Sequence, residues 1–310
     1  MYFVRGGVIA LGVFALVYLP LSLLVAAGWG VLRSHRLNIS AATAYLCRIF
    51  PLIGALAVVV LFAVPSFLWF EPRWDNEHMG TAILALAATG ALILVLGVMN
   101  AVLAWLRTAQ RVSSWVAESH TLESTAVVPA FQTPGPVPLV AVAGVYRPKL
   151  LVSGSARELL DRGELEAAIR HELAHIRHRD NLKKLMLRAC AFPFMGALER
   201  TWIEAAEIKA DDDAARDERS ALDLASALLK VSRLSAGHPS PELATELICG
   251  AASAVTIRVE RLLSWQGLPP PRRHLRPITV PAGAVAVMVA VLAYIPLLAR
   301  VHQFTEMLVR

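Results

Sequence analysis

The sequence predicts an α-helical membrane protein with four transmembrane helices and one cytoplasmic α+β domain. Three observations carry this. Hydrophobic residues make up 56% of the 310 residues and charged residues 17%, where soluble domains carry about 25% charged residues. The charges are also confined, because residues 107–276 hold 23 of the 30 Lys+Arg and 20 of the 24 Asp+Glu. Outside that stretch lie four apolar runs, each reaching the ~20 residues a bilayer demands. A disordered chain is excluded by the apolar content, and a simple soluble globule by its segregation.

The first three runs, Val8–Leu32, Ile49–Phe70 and Thr81–Leu106, fill a membrane region of residues 1–106. The fourth, Ile278–Ala299, lies in 277–310 ahead of a short tail. Each contains Gly or Pro, which membrane helices tolerate better than soluble ones. The first run exceeds the roughly 7–15 apolar residues of a cleaved signal peptide, so it reads as a retained helix. Orientation follows from the basic residues. The first connection, Ser34–Ala42, carries Arg36 between Arg33 and Arg48, whereas Glu71–Gly80 carries Glu71, Asp75 and Glu77 against Arg73 alone. Arg107 and Arg111 follow the third run; Arg272, Arg273 and Arg276 precede the fourth. The positive-inside rule then places the first connection and residues 107–276 in the cytoplasm, and the N-terminus, the acidic loop and the tail from Arg300 outside. Arg5, Arg300 and Arg310 oppose this and are outnumbered. The expectation is a multi-pass protein of the inner (plasma) membrane. Its net charge of +6 reads as orientation in the bilayer, with no direct nucleic-acid binding. Cys47, Cys190 and Cys249 are odd in number and widely spaced, so no disulfide framework is read from them.

Residues 107–276 are long enough for one domain with its own core. Two short strands are expected near Pro138–Val142 and Lys149–Val152, joined by a turn around Gly144–Pro148. Ser155 with Glu158, and Asp161 with Glu164, each match a capping box. The second opens a helix from Glu164 to about Arg179, with Leu165, Ala168, Ile169, Leu173 and Ile176 as its apolar stripe. Further helices are expected from Asn181, over Leu198–Arg219, and over Ala221–Ser235. The run Ala236–Pro241 breaks the pattern. A last amphipathic helix ends near Trp265, and Pro269–Pro271 links stiffly to the membrane. The apolar run Leu185–Leu198 is too short to span.

The helix from Glu164 contains His171-Glu172-Leu173-Ala174-His175, an HExxH motif. Histidines at i and i+4 leave one face of a helix one turn apart and can converge on one Zn²⁺ at about 2.0–2.1 Å. The intervening Glu172 is placed to take the proton of a zinc-activated water. Two unrelated histidines on a solvated face would share the spacing. The capped amphipathic setting, with its apolar stripe beside the His face, favours the metal.

A catalytic zinc needs a third protein ligand and an open position. His178 lacks the spacing and reads as surface. The acidic run Glu204-Ala-Ala-Glu207-Ile-Lys-Ala-Asp211 puts Glu207 and Asp211 one turn apart. Glu207 could ligate while Asp211 accepts the free N–H of a ligand histidine. An isolated acidic helix is more often a solvated face, so the residues alone leave the third ligand open.

These segments together resemble the integral-membrane zinc metallopeptidases of the BlaR/MecR antirepressor type, which are gluzincins. The resemblance starts at Val142-Ala-Gly-Val-Tyr-Arg-Pro-Lys-Leu-Leu-Val152. It continues through Glu164 to Asp180-Asn181 and through Glu207-Ile-Lys-Ala-Asp211-Asp-Asp-Ala, and it ends at Arg258-Val-Glu-Arg-Leu-Leu263. Three helices before the domain and one after it match the same layout. The resemblance implies His171, His175 and Glu207 as zinc ligands, Glu172 as general base, and Asp211 and Asp180 as acids behind the ligands. It does not extend to a C-terminal penicillin-binding sensor, because the sequence ends about ten residues past the fourth run. The run Phe192-Pro-Phe-Met195 departs from the family's usual stretch between the two motif segments.

The expected function is a membrane-embedded zinc endopeptidase in signalling. Its substrate is a cytoplasmic or membrane-proximal protein, with a transcriptional repressor or the chain itself as the expected targets. An edge strand near Lys149–Val152 would receive the peptide. Tyr146, Arg179 and Arg216 are candidates to stabilise an oxyanion. Two other readings stand beside this one: a quality-control protease similar to the HtpX and CAAX prenyl protease families, and a non-proteolytic scaffold held together by zinc. The intact Glu172 speaks against the scaffold. A homo-oligomer is compatible with the sequence.

Overall fold

A computed structural model of the chain describes residues 2–34, 40–71, 79–122, 128–134, 140–190, 192, 195–233, 243–246, 252–265, 267, 294 and 296–307. Contacts divide it into two compact units. One comprises Met1–Arg36, Ile49–Leu96 and Pro270–Arg310, the other Leu37–Arg48 and Gly97–Pro269.

The first unit is built from apolar helices: α1 (Tyr2–Ser34), α2 (Ala41–Val58) from Ile49 onward, α3 (Val64–Phe70) and α4 (Thr81–Ala117) as far as Leu96. A π-helical turn, Val59–Ala63, joins α2 to α3. Three segments are long and apolar enough to cross a membrane: Tyr2–Val31, Ala41–Phe70 and Thr81–Ala117. The π turn has a local cause. Pro65 can neither donate to the carbonyl four residues back nor fit beside it, and an i→i+5 turn opens the ladder there. That carbonyl, of Leu61, accepts the Tyr294 hydroxyl at 2.6 Å. Ile9, Val13, Ala63 and Phe67 pack as one cluster. A Cβ at Gly90 would collide with the Leu11 carbonyl, so α1 and α4 approach at backbone distance, as small residues allow between membrane helices.

The expected fourth span, 278–299, lies outside the described residues except for Tyr294 and 296–299. Helix is described from 296 to 307, through most of the expected tail. The helices extend past the apolar runs expected to about Leu32 and Leu106. α1 runs to Ser34, and α4 runs eleven residues further, to Ala117. A charge marks where lipid becomes costly and does not break a helix.

In the second unit a mixed sheet runs β1-β2-β4-β3-β5, with β1 His120–Thr121, β2 Ala130–Thr133, β3 Val140–Ala143, β4 Lys149–Ser153 and β5 Ala244–Glu246. β2 pairs with β4 in parallel; the other pairs are antiparallel. β3 and β4 form the expected hairpin, turning at Gly144 with φ 102°, a backbone state open to glycine. Alternate residues leave opposite faces of a strand. Val140, Val142, Leu150 and Val152 therefore enter the main core, while Ala143 and Leu151 meet Val112 on the far end of α4. That second face is why α4 continues past Arg107 and Arg111. The strand expected at an edge, Lys149–Val152, is interior; the edges are β1 and β5.

The main core is closed by α5 (Gly154–Leu159), α6 (Arg162–His178), α9 (Glu218–Ser232) and α10 (Ala252–Leu263), with α7 (Asp180–Ala189) and α8 (Gly196–Ala214) beside α6. The N-cap of α5 is Ser153, whose side chain accepts Ala156 N–H, and not the expected Ser155. Ser155 already lies in the helix. The expected helix Leu198–Arg219 is also corrected. It ends at Ala214, where Asp217 and Ser220 open α9 with a capping box of their own. The expected breaker 236–241 and the linker 269–271 lie outside the described residues, as do residues 193 and 194 of the 192–195 run.

Candidate metal centre

The site begins with α6, which the Asp161–Glu164 capping box starts at a fixed residue. With the start fixed, His171 and His175 leave the same face and Glu172 the adjoining one. All three are buried. α6 ends at Arg179, whose φ of 54° is left-handed and whose N–H closes on His175 and Ile176. This tight bend returns the chain at once into α7 and brings Asp180, its first residue, back against the histidine one turn earlier. Asp180 Oδ2 stands 2.8 Å from His175 Nδ1. Lys183 bonds the other oxygen at 2.9 Å. Asn181 spans from α7 to the β3–β4 hairpin, donating to the carbonyls of Val142 and Gly144.

α8 supplies the facing wall. Glu207 and Asp211 are buried one turn apart. Glu207 Oε2 lies 3.4 Å from His171 Nε2, and Oε1 lies 3.5 Å from His175 Nε2. The two Nε2 atoms are 3.2 Å apart. Asp211 Oδ1 lies 3.0 Å from His171 Nδ1. Each histidine thus turns Nδ1 to an aspartate and Nε2 to the common centre. A carboxylate only accepts, so Asp180 and Asp211 favour the tautomer with the proton on Nδ1. Both Nε2 lone pairs then point at one another and at a carboxylate.

Four electron-rich atoms, the two Nε2 and both oxygens of Glu207, lie buried against each other and repel unless positive charge neutralises them. The spacing fits a metal ion. Two ligands of a tetrahedral zinc at 2.0–2.1 Å stand about 3.3–3.4 Å apart, close to the 3.2, 3.4 and 3.5 Å found here. His171, His175 and Glu207 could therefore hold a metal ion. A small cleft lined by His175, Glu207, Trp202, Ile203 and Ala206 opens beside two of these three residues.

The electrostatics agree. Burial pushes the His171 pKa down, but Asp211 and Glu207 outweigh it and carry it up to about 9. The field that draws a proton there also draws a divalent cation. Burial opposes the charge of Glu207, yet His175, Arg258 and His171 hold its carboxyl below the usual range. Arg258 and His171 do the same for Asp211. Burial likewise works against ionised Asp180, and His175 and Lys183 keep it lowered.

Glu172 is fully buried, and its Oε2 accepts the Val142 N–H of β3 at 3.2 Å. This bond ties the carboxylate to the strand that β5 pairs with, at Val142↔Thr245.

Sequence reasoning missed Arg258. Its Nε and Nη2 both bond Asp211 at 2.7 Å, and Nη1 lies 3.0 Å from Glu207 Oε2. The signal was present. On α10, Arg258 interrupts a stripe of Val255, Val259 and Leu262 that enters the core, and a charge on a buried stripe calls for a partner. The expected oxyanion candidates Tyr146, Arg179 and Arg216 are exposed. Glu204 is exposed as well. His178 faces Asp213 at 2.9 Å, outside the cluster.

The profile of the family described as BlaR1 peptidase M56 matches residues 19–262. The match begins within α1, ends on α10, and includes every residue of the cluster. None of the curated proteins matches the sequence.

Proposed function

The chain belongs to the BlaR1 peptidase M56 family of membrane metallopeptidases, and from that premise we propose that it is a zinc endopeptidase of the inner membrane, with residues 107–276 in the cytoplasm. The observation that carries this reading is the triangle of His171, His175 and Glu207 at tetrahedral spacing, with Glu172 next to it on α6.

Zinc bound there supplies Lewis acidity, which polarises a peptide carbonyl and makes water a nucleophile near neutral pH. Glu172 is the general base. Its carboxylate takes the proton of the attacking water and returns it to the leaving amine. The Val142 N–H fixes one oxygen of Glu172 and so orients its carboxylate. Asp180 and Asp211 hold the two imidazoles in the ligating tautomer, and Arg258 holds Asp211 and Glu207 in place.

A peptide bound as an added strand would run along β3, the strand tied to Glu172. β5, a segment of the same chain, already pairs there. A substrate strand would therefore displace β5, or the chain's own segment around β5 would be cut. A cytoplasmic repressor is the expected substrate in trans.

The test is proteolysis by the purified full-length protein in detergent, scored on itself and on a candidate repressor. Cleavage should stop with a chelator, return with zinc, and be absent in Glu172→Ala. Cleavage that survives removal of the metal would exclude the mechanism.

A further inference from the structure

In the first unit, three side chains that peptide hydrolysis does not use come together. Glu71 follows α3, and its side chain is only 4% exposed. His302 and Glu306 sit on the helix 296–307, four residues apart and so on one face. One potential ligand atom from each of the three lies within 4.8 Å of the others. The His302 ring stacks on Phe70 at 5.6 Å between centroids, and its Nδ1 stands 4.0 Å from Glu71 Oε2. That distance is too long for a hydrogen bond. It exceeds by several tenths of an ångström the ~3.3–3.4 Å between two ligands of a tetrahedral zinc, so the side chains would have to close on an ion. The other Glu71 oxygen is held by Arg5, from the first turn of α1, at 2.9 Å.

The donor types point the same way, because an imidazole with two carboxylates is a donor set suited to zinc.

We propose that Glu71, His302 and Glu306 form a second divalent-cation site, of zinc type, with Arg5 positioning Glu71. His302 and Glu306 are partly exposed, so their side chains can close the few tenths of an ångström to about 1.5 Å that coordination requires. An ion there links helix 296–307 to the ends of α1 and α3. Binding would thus order that helix without any change at His171.

The experiment is equilibrium dialysis of the full-length protein in detergent against zinc chloride. Wild type should bind two zinc ions per chain. His171→Ala/His175→Ala should keep one, His302→Ala/Glu306→Gln should keep one, and the fourfold variant none. Zinc should also raise the melting temperature of His171→Ala/His175→Ala, and this shift should vanish when His302→Ala is added. The zinc retained at His171 reports that the His302→Ala/Glu306→Gln chain is folded. The milder His302→Gln should keep that zinc and weaken the second by tenfold or more. A wild type that saturates at one zinc, or a second zinc that survives His302→Ala/Glu306→Gln, overturns the proposal. Neither result bears on proteolysis by the first site.

Discussion

Arg258 grips Asp211 through two bonds of 2.7 Å while its remaining nitrogen lies 3.0 Å from Glu207. One guanidinium on α10 thus fixes two carboxylates on α8, and both stand against His171. The pair is buried, so its value lies in being complete. Arg258→Met, which strands two carboxylates, should cost about 3–5 kcal/mol of stability. Asp211→Leu in the same chain should recover part of that, giving a coupling of about 2 kcal/mol or more in a double-mutant cycle. Thermal unfolding of the four proteins at one fixed zinc concentration measures it. Additive losses would mean that Arg258 and Asp211 do not act as a unit.

His171→Ala, His175→Ala and Glu207→Ala should each remove the zinc bound at their centre, since three protein ligands leave no redundancy. Metal analysis after dialysis at sub-micromolar free zinc reads this out. Full occupancy in Glu207→Ala would break the assignment. The neighbouring Glu204 is exposed and not among the converging donors.

Glu172→Ala should keep that zinc and lose proteolysis, by about 10²–10⁴-fold in kcat. The residue touches the Val142 N–H and is not one of the three converging donors. Wild-type cleavage by this variant would remove Glu172 from the chemistry.

What the sequence disclosed about this site follows its periodicities. The i, i+4 spacing put His171 with His175, and Glu207 with Asp211, on single helix faces, and the Asp161–Glu164 box located the start of α6. Which faces then meet is a tertiary matter. Asp180 reaches His175 only because Arg179 takes a left-handed turn, and no propensity predicts that of an arginine. Arg258 lies far along the chain from its partners, and the sequence marked it only as the start of the segment Arg258–Leu263, with no role at the site. The edge of the sheet was misplaced for a similar reason. β2 inserts in parallel beside β4, and a long-range pairing of this kind leaves no local mark. The length of α4 was hidden because its last turns pack on a sheet face that alternation alone could not assign to a partner.

The acidic loop and the large domain should lie on opposite sides of the membrane, given three acids and one Arg between Glu71 and Gly80 against basic clusters flanking 107–276. In a chain with its native cysteines replaced, a cysteine at Asn76 should react with an impermeant reagent in intact cells. One at Ser240 should react only after lysis. The opposite pattern would put the metal centre outside the cell.

Glu164 couples the metal-bearing helix to α9 and gives the chain a defined acid limit. Its Oε2 accepts Asp161 N–H at 2.9 Å and Lys230 Nζ at 2.6 Å, and its Oε1 accepts the Ser226 hydroxyl at 2.5 Å. Burial opposes its charge, but Lys230, Ser226 and the Asp161 N–H outweigh that and hold its pKa below the ordinary value. A carboxylate lowered on folding contributes stability that is complete above its unfolded pKa of about 4.3. That contribution is lost as the pH falls through the lower folded value. Glu164→Gln retains a capping side chain but not the charge, so it should cost about 1 kcal/mol near pH 7. Glu164→Ala also leaves Ser226 and Lys230 without their acceptor and should cost about 2–3 kcal/mol. Melting temperatures across pH separate the two contributions. The gap between wild type and Glu164→Gln should stay constant from pH 8 to about 5 and close progressively below about 4.3, whereas the gap between Glu164→Gln and Glu164→Ala should persist. A wild-type gap that widened on acidification would mean that folding raises the Glu164 pKa, and the link between α6 and α9 would then be a neutral hydrogen bond.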